Sequence, residues 1–102
     1  MNLIVYTTCP DGETARTISR KVVAERLAAC VHQQPAGTSI FEWEGQIEEE
    51  EEILLVIKTK EKLYNRLESA ILQAHPYDVP EVIAVSIDYG LASYLRWIDH
   101  LD

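Results

Sequence analysis

The fold is decided by residues 48–57, which read EEEEEILLVI. Five adjacent glutamates, Glu48 to Glu52, repel one another, so we expect them in solvent at the mouth of a β-hairpin. The apolar run that follows, Ile53 to Ile57, is short and continuous. A run of this kind is typical of a central strand that is covered on both faces.

Before this strand the sequence predicts a strand, a helix and a hairpin. Leu3 to Thr8 is β-rich and ends in the turn sequence CPDG. Apolar residues then recur at nearly helical spacing, which predicts an amphipathic helix whose inner face carries Ala15, Ile18, Val22 and Leu27. From Ala28 the pattern is extended, with a bend at Pro35, and it alternates over Ser39 to Ile47, where Glu44-Gly45-Gln46 is a turn candidate.

After the central strand, the pattern predicts a helix, a strand and a closing helix. Apolar residues at helical spacing run from Leu63 to Ala74, Val82 to Ile87 reads as a strand, and a last amphipathic helix runs from Leu91 to Leu101. Between the second helix and the last strand lies His75 to Glu81, which reads HPYDVPE. Two prolines make this connection stiff and extended, so it is either a rigid connector or a place where polar side chains meet a ligand.

Length and charge limit the class of protein. The 102 residues suit a single domain, residues 1–102, and the formal net charge of −8 makes a nucleic-acid partner improbable because the chain repels phosphate. No apolar run is long enough for a membrane span, and the N-terminus lacks the pattern of a signal peptide. We therefore expect a cytoplasmic protein that makes no membrane contact.

The two cysteines differ in their surroundings. Cys30 lies in an apolar run, which predicts a buried and inert thiol, whereas Cys9 beside Pro10 is expected to be more exposed. Two thiols so far apart make neither a disulfide framework nor a four-ligand zinc site.

The order of elements predicts an α+β fold of the ferredoxin-like type, βαββαβ, with an added C-terminal helix. Two right-handed crossovers around a hairpin place both helices on one face of an antiparallel sheet. The other face of the sheet is also predicted to be apolar. The side chains that we expect there are Val5, Phe41, Trp43 and the run from Ile53 to Ile57. An apolar face without a helical cover favours association with identical copies.

Several motifs in this order resemble those of the CutA family of divalent-cation tolerance proteins. The resemblance covers nearly the whole chain, and the segments that carry it are Glu25–Val31 (ERLAACV), Ser39–Gly45 (SIFEWEG), Ile57–Thr59 (IKT), His75–Glu81 (HPYDVPE) and Tyr94–Trp97 (YLRW). It implies a compact homotrimer, similar in architecture to the PII signalling proteins, with the sheets packed inward and the long hairpin on a neighbour's strand edge.

The resemblance also implies a role in tolerance of divalent metals. The family's proposed copper ligands fall on Cys9 and His75, while Ala74 stands where the family has a further histidine. A thiolate and an imidazole suit copper, especially Cu(I), but two ligands alone make a weak site. Copper or another divalent cation is thus expected to bind with low affinity.

The same residues are also consistent with other functions. Trp43, Lys58, Tyr77 and Glu81 are candidates to line a cleft between subunits, which would suit a PII-like signalling or small-ligand module. A stable trimer that anchors another protein is a further alternative. No phosphate-binding loop, nucleophile elbow or metal-hydrolase spacing is present in the sequence, so we do not expect an enzyme.

Overall fold

The computed structural model describes residues 1–101. The elements follow in the order β1 (Asn2–Cys9), α1 (Gly12–Ala24), β2 (Cys30–Gln33), β3 (Gly37–Trp43), β4 (Gln46–Lys60), α2 (Tyr64–Ala74), β5 (Ile83–Ser86) and α3 (Ala92–Asp99). A short 3₁₀ turn, Glu61–Leu63, joins β4 to α2. The predicted α+β fold with an antiparallel sheet and an added C-terminal helix is confirmed.

Strand β4 organises the sheet because it pairs with three other strands. The sheet order is β2-β4-β1-β5, and β3 pairs with the N-terminal half of β4 on the same side as β2. Residues Ile53 to Lys60 pair with β1, whereas residues Gln46 to Glu52 pair with β3. Strands β2 and β3 together thus take the place of the second strand of the ferredoxin-like order.

One face of the sheet and two helices enclose the core. Odd-numbered residues of β1 and of the last part of β4, from Leu55 to Thr59, are buried against α1 and α2, for example Val5 and Ile57. The helices contribute the apolar faces that the sequence predicts, for example Ile18 and Leu67. Helix α1 begins where Asp11 accepts a hydrogen bond of 2.8 Å from the Thr14 amide, a side-chain cap of the usual kind.

We call the opposite side of the sheet the open face. Its central strands present half-buried side chains such as Tyr6 and Val56, and on β5 Ile83 and Val85 are 54% and 47% exposed. Helix α3 covers only the end where β4 finishes, with Lys60 Nζ donating to backbone oxygens of α3 and the residues after it at 3.0 and 2.6 Å. Most of this apolar surface therefore has no cover within the described chain.

Strand β3 and residues 46–52 of β4 form a two-stranded arm that extends beyond the other strands. Its tip is the two-residue turn Glu44-Gly45, in which both residues have positive φ, 50° and 79°. This is the turn geometry that matches the twist of a hairpin, and the turn lies where the sequence pattern predicts one. The arm accounts for much of the length of the molecule, which measures 45 × 25 × 23 Å.

Three expectations about the sheet are wrong. The five glutamates lie mostly in solvent, as expected, but they are a paired segment of β4 that alternates between the two faces of the arm rather than the mouth of a hairpin. The run Ile53 to Ile57 is a central strand, yet only its odd-numbered residues Leu55 and Ile57 are fully buried. Val5 faces the helices rather than the open face, because it lies directly across from Ile57 and has the same orientation.

Candidate functional site

A groove of about 790 Å³ lies where the open face meets the arm. Its floor is the end of β1 at Thr8 and the glutamate segment of β4, and one wall is the loop from Tyr77 to Glu81. The other wall is β3, which contributes the rings of Phe41 and Trp43. We call this feature the acidic groove.

The carboxylates of the acidic groove are placed by the period of the strand. Glu48, Glu50 and Glu52 are alternate residues of β4 and therefore project from one face, at intervals of roughly 6.6 Å. Asp78 and Glu81 add two carboxylates from the loop. The groove therefore favours cationic ligands over anionic ones.

Tyr77 ties the loop to the floor of the groove. Its hydroxyl donates a hydrogen bond of 2.8 Å to Oε2 of Glu52. Partial burial first, and then this hydrogen bond, raise the pKa of the Tyr77 phenol well above its ordinary value. The phenol is therefore a fixed donor at neutral pH, and the loop is held against β4 by a charged acceptor.

His75 anchors the start of the same loop. Its Nε2 lies 2.8 Å from the Thr8 carbonyl oxygen, and its Nδ1 accepts a hydrogen bond of 3.2 Å from the Tyr77 amide. Because Nδ1 accepts, Nε2 carries the proton and donates to Thr8. The ring also packs against Tyr77 with a centroid separation of 4.7 Å. Both nitrogens of this buried imidazole are thus engaged within the fold.

Cys9 is buried, contrary to the expectation that it is exposed. It is the last residue of β1 and faces α1 and α2, where its side chain joins the core. Burial, followed by the negative charges of Asp11 and Glu52, raises the pKa of the thiol to about 11. The thiol is therefore protonated at neutral pH and does not present a thiolate.

Cys9 and His75 are close in the fold, since His75 bonds to the residue that precedes Cys9. As folded, the thiol carries a proton and the imidazole makes hydrogen bonds that a metal would have to displace. A metal needs a deprotonated thiol and a free imidazole nitrogen, and the first is suppressed while the second is already hydrogen-bonded. Across residues 1–101, no group of three or more His, Cys, Asp and Glu side chains is arranged to hold a metal ion.

Cys30, in contrast, is less buried than the sequence predicts. It is half-buried rather than buried, lies on the open face, and has its sulfur 3.8 Å from the Tyr94 hydroxyl of α3. The apolar run around Cys30 predicts burial, but Cys30 begins β2 and points away from α1 and α2, toward α3.

The structure brings together three of the four cleft candidates. Trp43, Tyr77 and Glu81 line the acidic groove, whereas Lys58 lies further along β4 on the open face, across from Ile4 and Cys30. The sequence reasoning missed the glutamates of the groove and Phe41. Their period-two spacing along predicted strands is the signal that would have found them.

Comparison with known proteins identifies the family. Residues 3–100 match the model of the family described as CutA1 divalent ion tolerance protein. The chain belongs to the CutA1 family. The resemblance that the motifs indicated is therefore confirmed over nearly the whole chain.

CutA proteins from distant organisms have sequences related to this one. Protein CutA of Mus musculus is 46% identical over 93 residues, which are 91% of this chain and 52% of that protein. The divalent-cation tolerance protein CutA of Thermus thermophilus is 43% identical over 98 residues, covering 96% of this chain and 95% of that protein. The chain thus spans about half the length of the mouse relative and almost all of the bacterial one.

Solved CutA structures share the fold. The crystal structure of CutA from Xylella fastidiosa superimposes with a TM-score of 0.96 at 44% identity, covering 99% of this chain and 98% of that one. The periplasmic divalent cation tolerance protein CutA from Archaeoglobus fulgidus gives 0.95 at 33% identity, with 98% and 97% covered. Among residues 1–101, no helix has the length and apolar character to cross a membrane.

Proposed function

We propose that this CutA1 chain acts as a homotrimer in tolerance of divalent metal ions and catalyses no reaction. The observation that carries the proposal is the family match over residues 3–100, which leaves almost nothing of the chain outside it. The relative from Thermus thermophilus, matched over 95% of its length, is named for divalent-cation tolerance. A cytoplasmic location belongs to the same proposal, supported by two free thiols.

The trimer is supported by the uncovered half of the sheet. Ile83 and Val85 expose about half of their side chains on the open face, and the arm is a two-stranded ribbon with little support of its own. Such a ribbon is stabilised when its edge or face contacts another chain. Sedimentation at micromolar concentration tests this directly, and a monomer there contradicts the proposal.

Direct metal binding at Cys9 and His75 is proposed to be weak. A copper ion held there must displace the thiol proton, whose pKa is about 11, and at least one hydrogen bond of the imidazole. Both costs reduce the affinity, and the first rises as the pH falls because protons compete with the metal for the thiol sulfur. Tolerance therefore does not depend on a tight site in this proposal.

Competition with a chelator for Cu(I) under reducing conditions tests the proposed ligands. We expect Cys9→Ser to weaken binding by about tenfold or more, since a thiolate is the stronger of the two ligands for Cu(I). Cys30→Ser is the matched control, because it removes the other thiol and leaves Cys9 and His75 in place. Equal affinity for Cys9→Ser and the control would mean that the metal binds elsewhere.

A small-ligand module is the second candidate, and the acidic groove is the observation that favours it. Three aromatic side chains, Phe41, Trp43 and Tyr77, wall a space of about 790 Å³ that is large enough for a metabolite. The carboxylates select for cationic groups, which aromatic faces also attract. A thermal-shift screen with metabolites tests this candidate, with Glu50→Gln as the variant that lowers the response to a cationic ligand.

A further inference from the structure

Lys58 and the acidic groove lie on the same face of one strand but cannot meet within one subunit. Glu52 is the groove residue of β4 nearest to Lys58, which lies six positions further along the strand. At about 3.3 Å per residue this is about 20 Å along the strand, beyond the reach of a four-carbon side chain. Any contact between them must therefore join two copies of the chain.

Among the described residues, the strand neighbours of Lys58 carry no negative charge. Directly across from it lie Ile4 on β1 and Cys30 on β2, and its same-face neighbours on β4 are Val56 and Lys60. Lys60 differs because its ammonium donates to two backbone oxygens at the end of α3. When the open face is covered, the Lys58 ammonium loses water and needs a counter-charge.

The acidic groove, in contrast, has an excess of negative charge. Five carboxylates line it, from Glu48, Glu50, Glu52, Asp78 and Glu81, and its lining within residues 1–101 includes no lysine, arginine or histidine. Like charges at strand spacing repel one another, so the groove is stabilised when a cation enters. The open face therefore carries a negative end at the arm and a positive charge near α3, with an apolar strip between them.

We propose that Lys58 of one copy enters the acidic groove of the next and completes it. This inference rests on the proposed homotrimer and assigns a specific polar contact between its subunits. This pairing gives the Lys58 ammonium a counter-charge and reduces the repulsion among the groove carboxylates. It also sets the apolar strips of the two copies against each other. Because two different parts of the open face meet, the contact is heterologous and repeats around a closed ring. The groove is then a mixed-charge site that no single subunit forms.

Charge reversal on the full chain tests the pairing, with sedimentation over a dilution series as the readout. Lys58→Glu and Glu50→Lys are each expected to raise the concentration at which the assembly dissociates by about tenfold or more. The double variant is expected to recover most of that loss, since the two introduced side chains would pair with their charges exchanged. Lys62→Glu and Glu51→Lys are matched controls, because both are exposed, carry the same charge changes and lie away from the groove.

The outcomes separate this inference from the proposed trimer. A wild-type monomer overturns both, whereas a wild-type trimer that is insensitive to Lys58→Glu overturns the pairing alone. Loss of assembly in both single variants without recovery in the double variant also overturns it. The effects of two independent substitutions on assembly add, whereas exchanging the charges of a true pair restores their attraction. If circular dichroism shows that Lys58→Glu does not fold, Lys58→Met replaces it. This variant keeps the chain length, removes the charge and must still weaken assembly relative to Lys62→Met.

Discussion

The Tyr77 hydroxyl donates to Oε2 of Glu52 at 2.8 Å, which joins the proline-bracketed loop to the strand that carries the arm. The same loop is held at its other end by His75, which bonds to Thr8. Three segments that are distant in sequence, β1, β4 and the loop, therefore meet at the acidic groove. The hydrogen-bonded contacts, rather than the stiffness of the prolines alone, set the position of the wall.

Tyr77→Phe should loosen this wall without disturbing the core. A hydrogen bond to a partly exposed carboxylate contributes about 1 kcal/mol, so we expect a comparable loss in the free energy of unfolding. Amide hydrogen exchange over residues 77–81 should increase, because the loop loses its contact with β4. Tyr89→Phe, at a side chain that is 93% exposed, is the control and should change neither measurement.

The two cysteines should react in a fixed order with an alkylating reagent. In dissociated subunits, where the open face is uncovered, Cys30 is half-buried and should be modified first, while Cys9 is buried and its thiol has a pKa raised to about 11. Modification of Cys9, followed by mass spectrometry, should accelerate only as the pH approaches that value. Faster reaction of Cys9 than of Cys30 at pH 8 would contradict the buried position.

The raised pKa of Cys9 also predicts how stability depends on pH. In the unfolded chain the thiol ionises near its ordinary pKa of 9.0, whereas in the folded chain it stays protonated until about 11. Between these values the unfolded state has lost the proton and the folded state has kept it, so the free energy of unfolding falls as the pH rises. Below pH 9 both states are protonated and the thiol has no effect. Cys9→Ala should remove this part of the alkaline decline.

Two buried threonines on the same face of the sheet should respond oppositely to removal of their hydroxyls. Thr59 donates to the Leu27 carbonyl at 2.7 Å, so Thr59→Val leaves that oxygen unpaired and should cost about 1–2 kcal/mol. Thr7 has a buried hydroxyl oxygen with no partner in residues 1–101, so Thr7→Val should be neutral or stabilising. Chemical denaturation of both variants makes the comparison, and equal losses would refute it.

The turn of the arm should be sensitive to its two positive φ angles. Gly45 has φ of 79°, so Gly45→Ala should lower the free energy of unfolding by about 1 kcal/mol. Glu44→Asn should raise it by a few tenths of a kcal/mol, because asparagine tolerates the left-handed region better than glutamate does. Gly37→Ala is the control, since an added Cβ there meets open space and no strained backbone. Thermal melts of the three variants distinguish these effects.

The sequence predicted the elements well where local pattern and tertiary contact agree. The helix with Ile18 and Val22 inward, the turn at Gly45 and the apolar β4 segment all follow from spacing and turn chemistry. The errors occur where burial depends on a partner far along the chain. Cys9 was expected to be exposed because it precedes a turn, yet two helices cover its side of β1.

The candidate site was less predictable than the fold. Polar and aromatic groups on a stiff loop or strand are typical of a cleft, and two side chains predicted on that ground, Trp43 and Tyr77, line the acidic groove. The carboxylates were missed because a run of glutamates looks like a solvated segment until its strand register is known. Hydrogen bonds such as that of His75 to Thr8 depend on packing between distant segments, which no local pattern encodes.

The continuity of β4 constrains how the length of the arm can change during evolution. One strand runs without interruption from the turn to the end of the body, so its alternation carries through from Glu48 to Lys60. An insertion of a single residue before Ile53 would exchange the two sides of the arm, turning Glu48, Glu50 and Glu52 outward and Glu49 and Glu51 toward the groove. Pairs of residues added to both strands would instead preserve every orientation, so we expect arms of related chains to differ in length by even numbers.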